Sequence, residues 1–174
     1  MSLYRRQKKE VLEACLWLAA QGYFGSKLGS GGNVSVRIED RDLMAVTPSS
    51  VKYHELSLDD ICIVDLTGVV VEGVRAPSVE AGLHAAVYRE RPDVKAVVHT
   101  HQIYGSVFGV LNQPIPALLD EVSFTLGEAI EVVPYALSGS PELAANVASK
   151  LKNNANAYII QNHGIIALGK NMDK

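Results

Sequence analysis

Residues 34–38 (VSVRI) and 43–47 (LMAVT) are two β-type runs separated only by Glu39, Asp40, Arg41 and Asp42. So short and polar a connection makes a hairpin, so this part of any sheet is antiparallel. Residues 61–65 and 69–72 form a second such pair around Thr67 and Gly68. Helical spacing surrounds these strands. Residues 4–21 place Val11, Cys15, Leu18 and Ala19 on one face, and Gly22 and Gly25 end the run. A second helix is expected from Ser78, as N-cap, to about Glu90, with Pro77 before it and Glu80 in its first turn.

Arg91-Pro92-Asp93 stops that helix, and residues 96–101 return to a β pattern. Residues 103–111 and 141–151 are further helices, the latter with Pro141 in its first turn. Pro114 and Pro116 mark an extended loop, and residues 157–160 and 165–168 are short strands flanking Gln161-Asn162-His163-Gly164. The expectation is one α/β domain over residues 1–174, an αβα sandwich with a largely antiparallel or mixed sheet.

At 174 residues, 48% hydrophobic and 20% charged, the chain has the balance of a globular domain. A net charge of −3 gives no basic field for nucleic acid or an anionic membrane. The apolar stretch after the charged N-terminus is too short and interrupted to span a bilayer. Cys15 and Cys62 sit in apolar contexts and read as buried free thiols, which points to the cytoplasm.

Val97-Val98-His99-Thr100-His101 is the sharpest chemical signal. Residues two apart on a strand project to one face, roughly 6.5–7 Å apart, so both imidazoles can converge on one ion. His163, followed by Gly164 at a corner between two strands, is the third candidate ligand, and His54 reads as ordinary surface. Glu80 and His84 share a helix face; their spacing suits either a surface pair or a carboxylate aimed into a metal pocket. Three segments could cradle an anion: the glycine-rich loop at 29–33 with Gly32 and Asn33, the hydroxyls of Ser49 and Ser50, and Ser78 at a helix N-terminus.

Five ordered segments, GSGGNVSVR (29–37), TPSSVKY (47–53), APSVEAGLHAAVYRERPD (76–93), VVHTHQ (97–102) and QNHGIIALG (161–169), resemble the class II aldolase/adducin family over nearly the whole chain. The resemblance implies zinc ligands at His99, His101 and His163 and an acid/base at Glu80. It also places Gly32, Asn33, Ser49, Ser50 and Ser78 around a substrate phosphate. It further implies an αβα sandwich, a homotetramer with active sites at subunit boundaries, and retro-aldol cleavage of a small sugar phosphate. The alternative readings are a sugar-phosphate 4-epimerase, a decarboxylase or dehydratase on the same metal site, and a non-enzymatic adducin-like scaffold.

The chain departs from the aldolase pattern in four places. Val79 stands where a serine is expected, Ser50 replaces a glycine, and Asp120 falls where a tyrosine is expected, with Glu121 beside it. The chain also ends at Lys174, where a C-terminal helical segment is expected to follow.

Overall fold

The computed structural model describes residues 2–25 and 31–173. Gly29 and Ser30 of the glycine-rich loop therefore lie outside the described residues. The order is α1 (Arg5–Ala20), β1 (Asn33–Ile38), β2 (Leu43–Val46), β3 (Cys62–Asp65), β4 (Val70–Glu72), α2 (Ala81–Glu90), β5 (Ala96–Thr100) and α3 (Ile103–Leu111). There follow β6 (Ile115–Pro116), α4 (Asp120–Leu126), β7 (Ala129–Val133), α5 (Pro141–Lys150), β8 (Ala157–Ile160) and β9 (Gly164–Gly169).

The strands join in one sheet of order β4-β3-β2-β1-β5-β9-β8-β7-β6. Both expected hairpins form, Ile38 pairing with Leu43 in the first and Val64 with Val70 in the second. Among the described residues the single parallel pair is β7 with β8, bridged by α5, so the sheet is mixed and mostly antiparallel.

Helices cover both faces. On one, Leu83 and Val87 of α2 and Leu143 and Val147 of α5 pack on Val97, Tyr158, Ile160 and Ile166. On the other, Val11 and Cys15 of α1 pack on Val34, Val36, Ile38 and Ile63. The sheet residues alternate between these two cores, as pleated strands require. Lys8 is buried on α1, and its ammonium lies 2.7 Å from Glu72, tying the helix to β4. Both cysteines are free and buried, and burial raises both thiols. Among the described residues no helix is long and apolar enough to cross a membrane.

Two details depart from the expected elements. Helix α2 begins at Ala81, so Glu80, not Ser78, occupies the N-cap position. The reason is a bridge between Pro48 and Pro77 and a hydrogen bond from the Ser78 N–H to the Thr47 carbonyl, which hold that segment extended. A turn from Ser78 to Ala81 then leads into the helix. Residues 117–140 also carry α4 and β7, which the sequence pattern does not reveal: α4 is seven residues long and buries none of them.

Candidate metal centre

Strand β5 pairs with β1 on one side and β9 on the other, so its C-terminal end lies in the middle of the sheet. His99 sits near that end, buried to 1% exposure, and His101 follows just beyond it. The turn between β8 and β9 brings His163 against them. Asn162 makes this turn with φ 55°, while Gly164 serves close approach. A Cβ on Gly164 would collide with the Thr100 carbonyl and stand 3.1 Å from ring carbons of both His99 and His101.

The ring centroids are 5.0 Å apart for His99 and His101, 4.7 Å for His99 and His163, and 5.2 Å for His101 and His163. One nitrogen from each ring lies within 4.8 Å of the other two, and the Nε2 atoms of His99 and His101 are 3.1 Å apart. Nitrogens sharing a tetrahedral ion at about 2.0–2.1 Å stand roughly 3.3 Å from one another. His99 Nδ1 donates to the Ile165 carbonyl at 2.9 Å, which turns the Nε2 lone pair toward the other rings. Burial pushes the His99 imidazole down to about 3 and also lowers that of His101, so both are neutral at pH 7, as metal ligands must be. Three imidazoles facing one point fit a divalent ion.

Glu80 borders this cluster at the start of α2. Its Oε2 is 3.3 Å from His99 Nε2, and its Oε1 is 3.4 Å from His163 Nε2. Asn33 Nδ2 donates to Oε2 at 2.8 Å and the Ser138 hydroxyl to Oε1 at 3.0 Å. Burial opposes the carboxylate charge. These two hydrogen bonds favour it, and Glu80 stays below the ordinary carboxylate range.

Two of these neighbours escape the sequence pattern. Ser138 lies on the loop after β7, with Gly139 at φ 73° packed on Val79. His84 is not half of a surface pair: it is fully buried, its Nε2 2.5 Å from Asn33 Oδ1 and its Nδ1 2.7 Å from Ser35 Oγ. Its spacing from Glu80 was visible; its inward direction depends on the sheet beneath α2.

The anion-binding candidates divide. The Pro48–Pro77 bridge sets Ser49, half-buried, and Ser50, exposed, beside the segment carrying Ser78. The Ser49 and Ser50 hydroxyls are 3.2 Å apart, and Ser50 holds φ 58° where a glycine is expected. Ser78 Oγ accepts from the Glu80 N–H at 3.2 Å. Gly32, at φ 76°, has no room for a side chain: a Cβ would stand 2.5 Å from the His99 carbonyl. The Tyr53 hydroxyl donates to the Gly32 carbonyl at 2.6 Å, with its ring stacked on Phe24. Asn33 turns its amide inward, to Glu80 and His84. Asp120 and Glu121 open α4 on exposed positions, and His54 is half-exposed beside Glu55.

Residues 9–174 match the family described as Class II Aldolase and Adducin N-terminal domain. L-fuculose phosphate aldolase of Escherichia coli (strain K12) is 37% identical over 166 residues, 95% of this chain and 74% of that protein. A 5-deoxy-D-ribulose 1-phosphate aldolase of Bacillus thuringiensis is 35% identical, covering 85% of this chain and 68% of that protein. Among solved structures, an L-fuculose 1-phosphate aldolase superimposes with a TM-score of 0.87 at 34% identity, covering 98% of this chain and 77% of that one.

Proposed function

Because the chain belongs to the Class II Aldolase and Adducin N-terminal domain family, we propose that it is a zinc-dependent lyase that cleaves a small sugar phosphate to dihydroxyacetone phosphate and an aldehyde. The observation that carries this reading is the convergence of His99, His101 and His163 with Glu80 set between them. A scaffold member of the fold needs no such set, and the relatives described above are named as aldolases.

In the cleavage direction, the C3–C4 bond of the sugar phosphate breaks. The C4 hydroxyl gives up its proton and becomes the aldehyde carbonyl, while the bonding pair stays with C3 of the ketone fragment. His99, His101 and His163 would hold a divalent ion, which when bound would supply positive charge toward the hydroxyketone oxygens and the charge left on that fragment. Glu80 moves the proton, taking it from the substrate or returning it to C3. Asn33 and Ser138 keep its two oxygens in place. The Gly32 backbone and the hydroxyls of Ser49, Ser50 and Ser78 are proposed to surround the phosphate, with Asn33 linking that loop to Glu80. The enzyme is read as cytoplasmic and homotetrameric, the latter supported by an exposed apolar face on α3, with Ile103, Tyr104, Val110 and Leu111 each more than 60% exposed.

Elemental analysis of the purified protein, with a coupled assay for dihydroxyacetone phosphate released from L-fuculose 1-phosphate, tests this. About one zinc per chain with product release is expected. Zinc without product from any sugar 1-phosphate would shift the reading to a 4-epimerase or decarboxylase. Absence of metal after zinc is supplied would remove the catalytic reading altogether.

A further inference from the structure

Behind Glu80 runs an unbroken line of buried polar groups that ends in the core. Asn33 Nδ2 donates to Glu80 Oε2 at 2.8 Å, and Asn33 Oδ1 lies 2.5 Å from His84 Nε2. His84 Nδ1 is 2.7 Å from Ser35 Oγ, which is 2.8 Å from the Tyr88 hydroxyl. Ser35, His84 and Tyr88 are fully buried, and Asn33 and Glu80 are only 3% and 4% exposed. The line joins β1, which carries Asn33 and Ser35, to α2, which carries His84 and Tyr88 one turn apart.

The carboxylate fixes the direction of every bond in it. An ionised carboxylate only accepts, so the Asn33 amide must present its NH2 to Glu80 and its carbonyl oxygen to His84. His84 Nε2 must then carry the proton. In a neutral ring this leaves Nδ1 an acceptor, which takes the Ser35 hydroxyl proton, and Ser35 in turn accepts from Tyr88. Reversing the Asn33 amide would set oxygen against oxygen at Glu80 and leave the carboxylate without that donor. In a dry interior, an unpaired polar group is costly, so the line holds as a unit.

We propose that His84 is a positioning residue for Glu80. By donating from Nε2 to Asn33 it holds the amide that aims the carboxylate at the three histidines, and the Ser35 hydroxyl, backed by Tyr88, supports that tautomer from Nδ1. The role rests on Glu80 as the proton carrier of the proposed cleavage, but the tautomer can be tested without that reaction.

The experiment uses the full chain loaded with zinc. Nitrogen-15 NMR of labelled histidine at pH 7, with His84 assigned by its loss in His84→Gln, is expected to show a neutral ring protonated at Nε2. An Nδ1–H tautomer or an imidazolium would overturn the proposal. His84→Leu is expected to lower kcat about 10–100-fold, the usual effect of losing such a supporting partner, with KM and zinc content nearly unchanged. His84→Gln places an amide N–H near the position of Nε2 and should recover most of kcat. Wild-type turnover in His84→Leu, or no recovery in His84→Gln, would overturn it. If His84→Leu does not fold, Ser35→Ala is read in its place: a shift of the His84 tautomer with lowered kcat supports the line, and an unchanged tautomer and kcat overturns it. If the wild-type protein releases no dihydroxyacetone phosphate, the aldolase reading fails while the tautomer result still decides the line.

Discussion

Glutamine at position 80 keeps nearly the shape of the glutamate but cannot take up a proton as a carboxylate does. Glu80→Gln should therefore retain zinc, since the three imidazoles are untouched, while kcat falls roughly 10²–10⁴-fold. Elemental analysis with steady-state kinetics on one preparation checks both halves; near-normal turnover would mean that another group carries the proton. His84 makes a different prediction, in stability. Burial pushes its imidazole from 6.5 down to about 4, so the native state refuses a proton that the unfolded chain accepts. The penalty is absent above about pH 6.5 and grows as pH falls toward 4, reaching at most about 3 kcal/mol. Urea unfolding from pH 7 to 4.5 should show a flatter pH dependence in His84→Gln than in the wild type. Equal slopes would show that His84 titrates normally in the fold.

At the scale of elements, the centre depends on how closely β5 and the β8–β9 turn approach. A methyl on Gly164 would collide with the end of β5 and press on two of the histidine rings. Gly164→Ala is thus expected to weaken zinc binding at least 10-fold with little change in circular dichroism, measured by competition with a chromophoric chelator. Unchanged affinity would show that the turn can yield. Much of this was legible in the sequence: the alternation that put His99 and His101 on one face, the corner at His163, and the two hairpins all follow from local periodicity. What local pattern could not supply was direction across elements. The i, i+4 spacing of Glu80 and His84 fits a solvated face as well as a buried one, and only the packing of α2 over β1 turns His84 inward. Helix α2 starts two residues later than a Ser78 cap implies, because the long-range bridge between Pro48 and Pro77 holds Ser78 extended against its own capping tendency. Ser138 was invisible because its loop gains its position only by lying on Val79. The meeting of the separated motifs was supplied by family resemblance, not by spacing.

For the whole molecule, the apolar face of α3 is the feature that a single copy does not explain. Ile103, Tyr104, Val107, Val110 and Leu111 are all at least 49% exposed, and Phe124 of α4 is 89% exposed. A contiguous apolar surface of this kind marks an association site. In the proposed tetramer, Val110→Asp should lower the mass measured by light scattering to that of a smaller species, with the sheet intact by circular dichroism. A wild-type mass in that variant would place the subunit contacts elsewhere.

The sheet order has a consequence for how the chain comes together in time. Strand β9 is the last strand in the described chain, yet it lies between β5 and β8 and makes the only strand pairing between the two halves of the sheet. Until residues 164–169 insert, β1 to β5 and β6 to β8 are two separate ribbons, each with an unpaired inner edge open to a wrong partner. During synthesis that gap persists until the ribosome has released nearly everything described here, and it closes in the same event that brings His163 to His99 and His101. An early-arriving metal ion would find two ligands on one ribbon and the third not yet docked, so loading and the final closure of the sheet become one kinetic step.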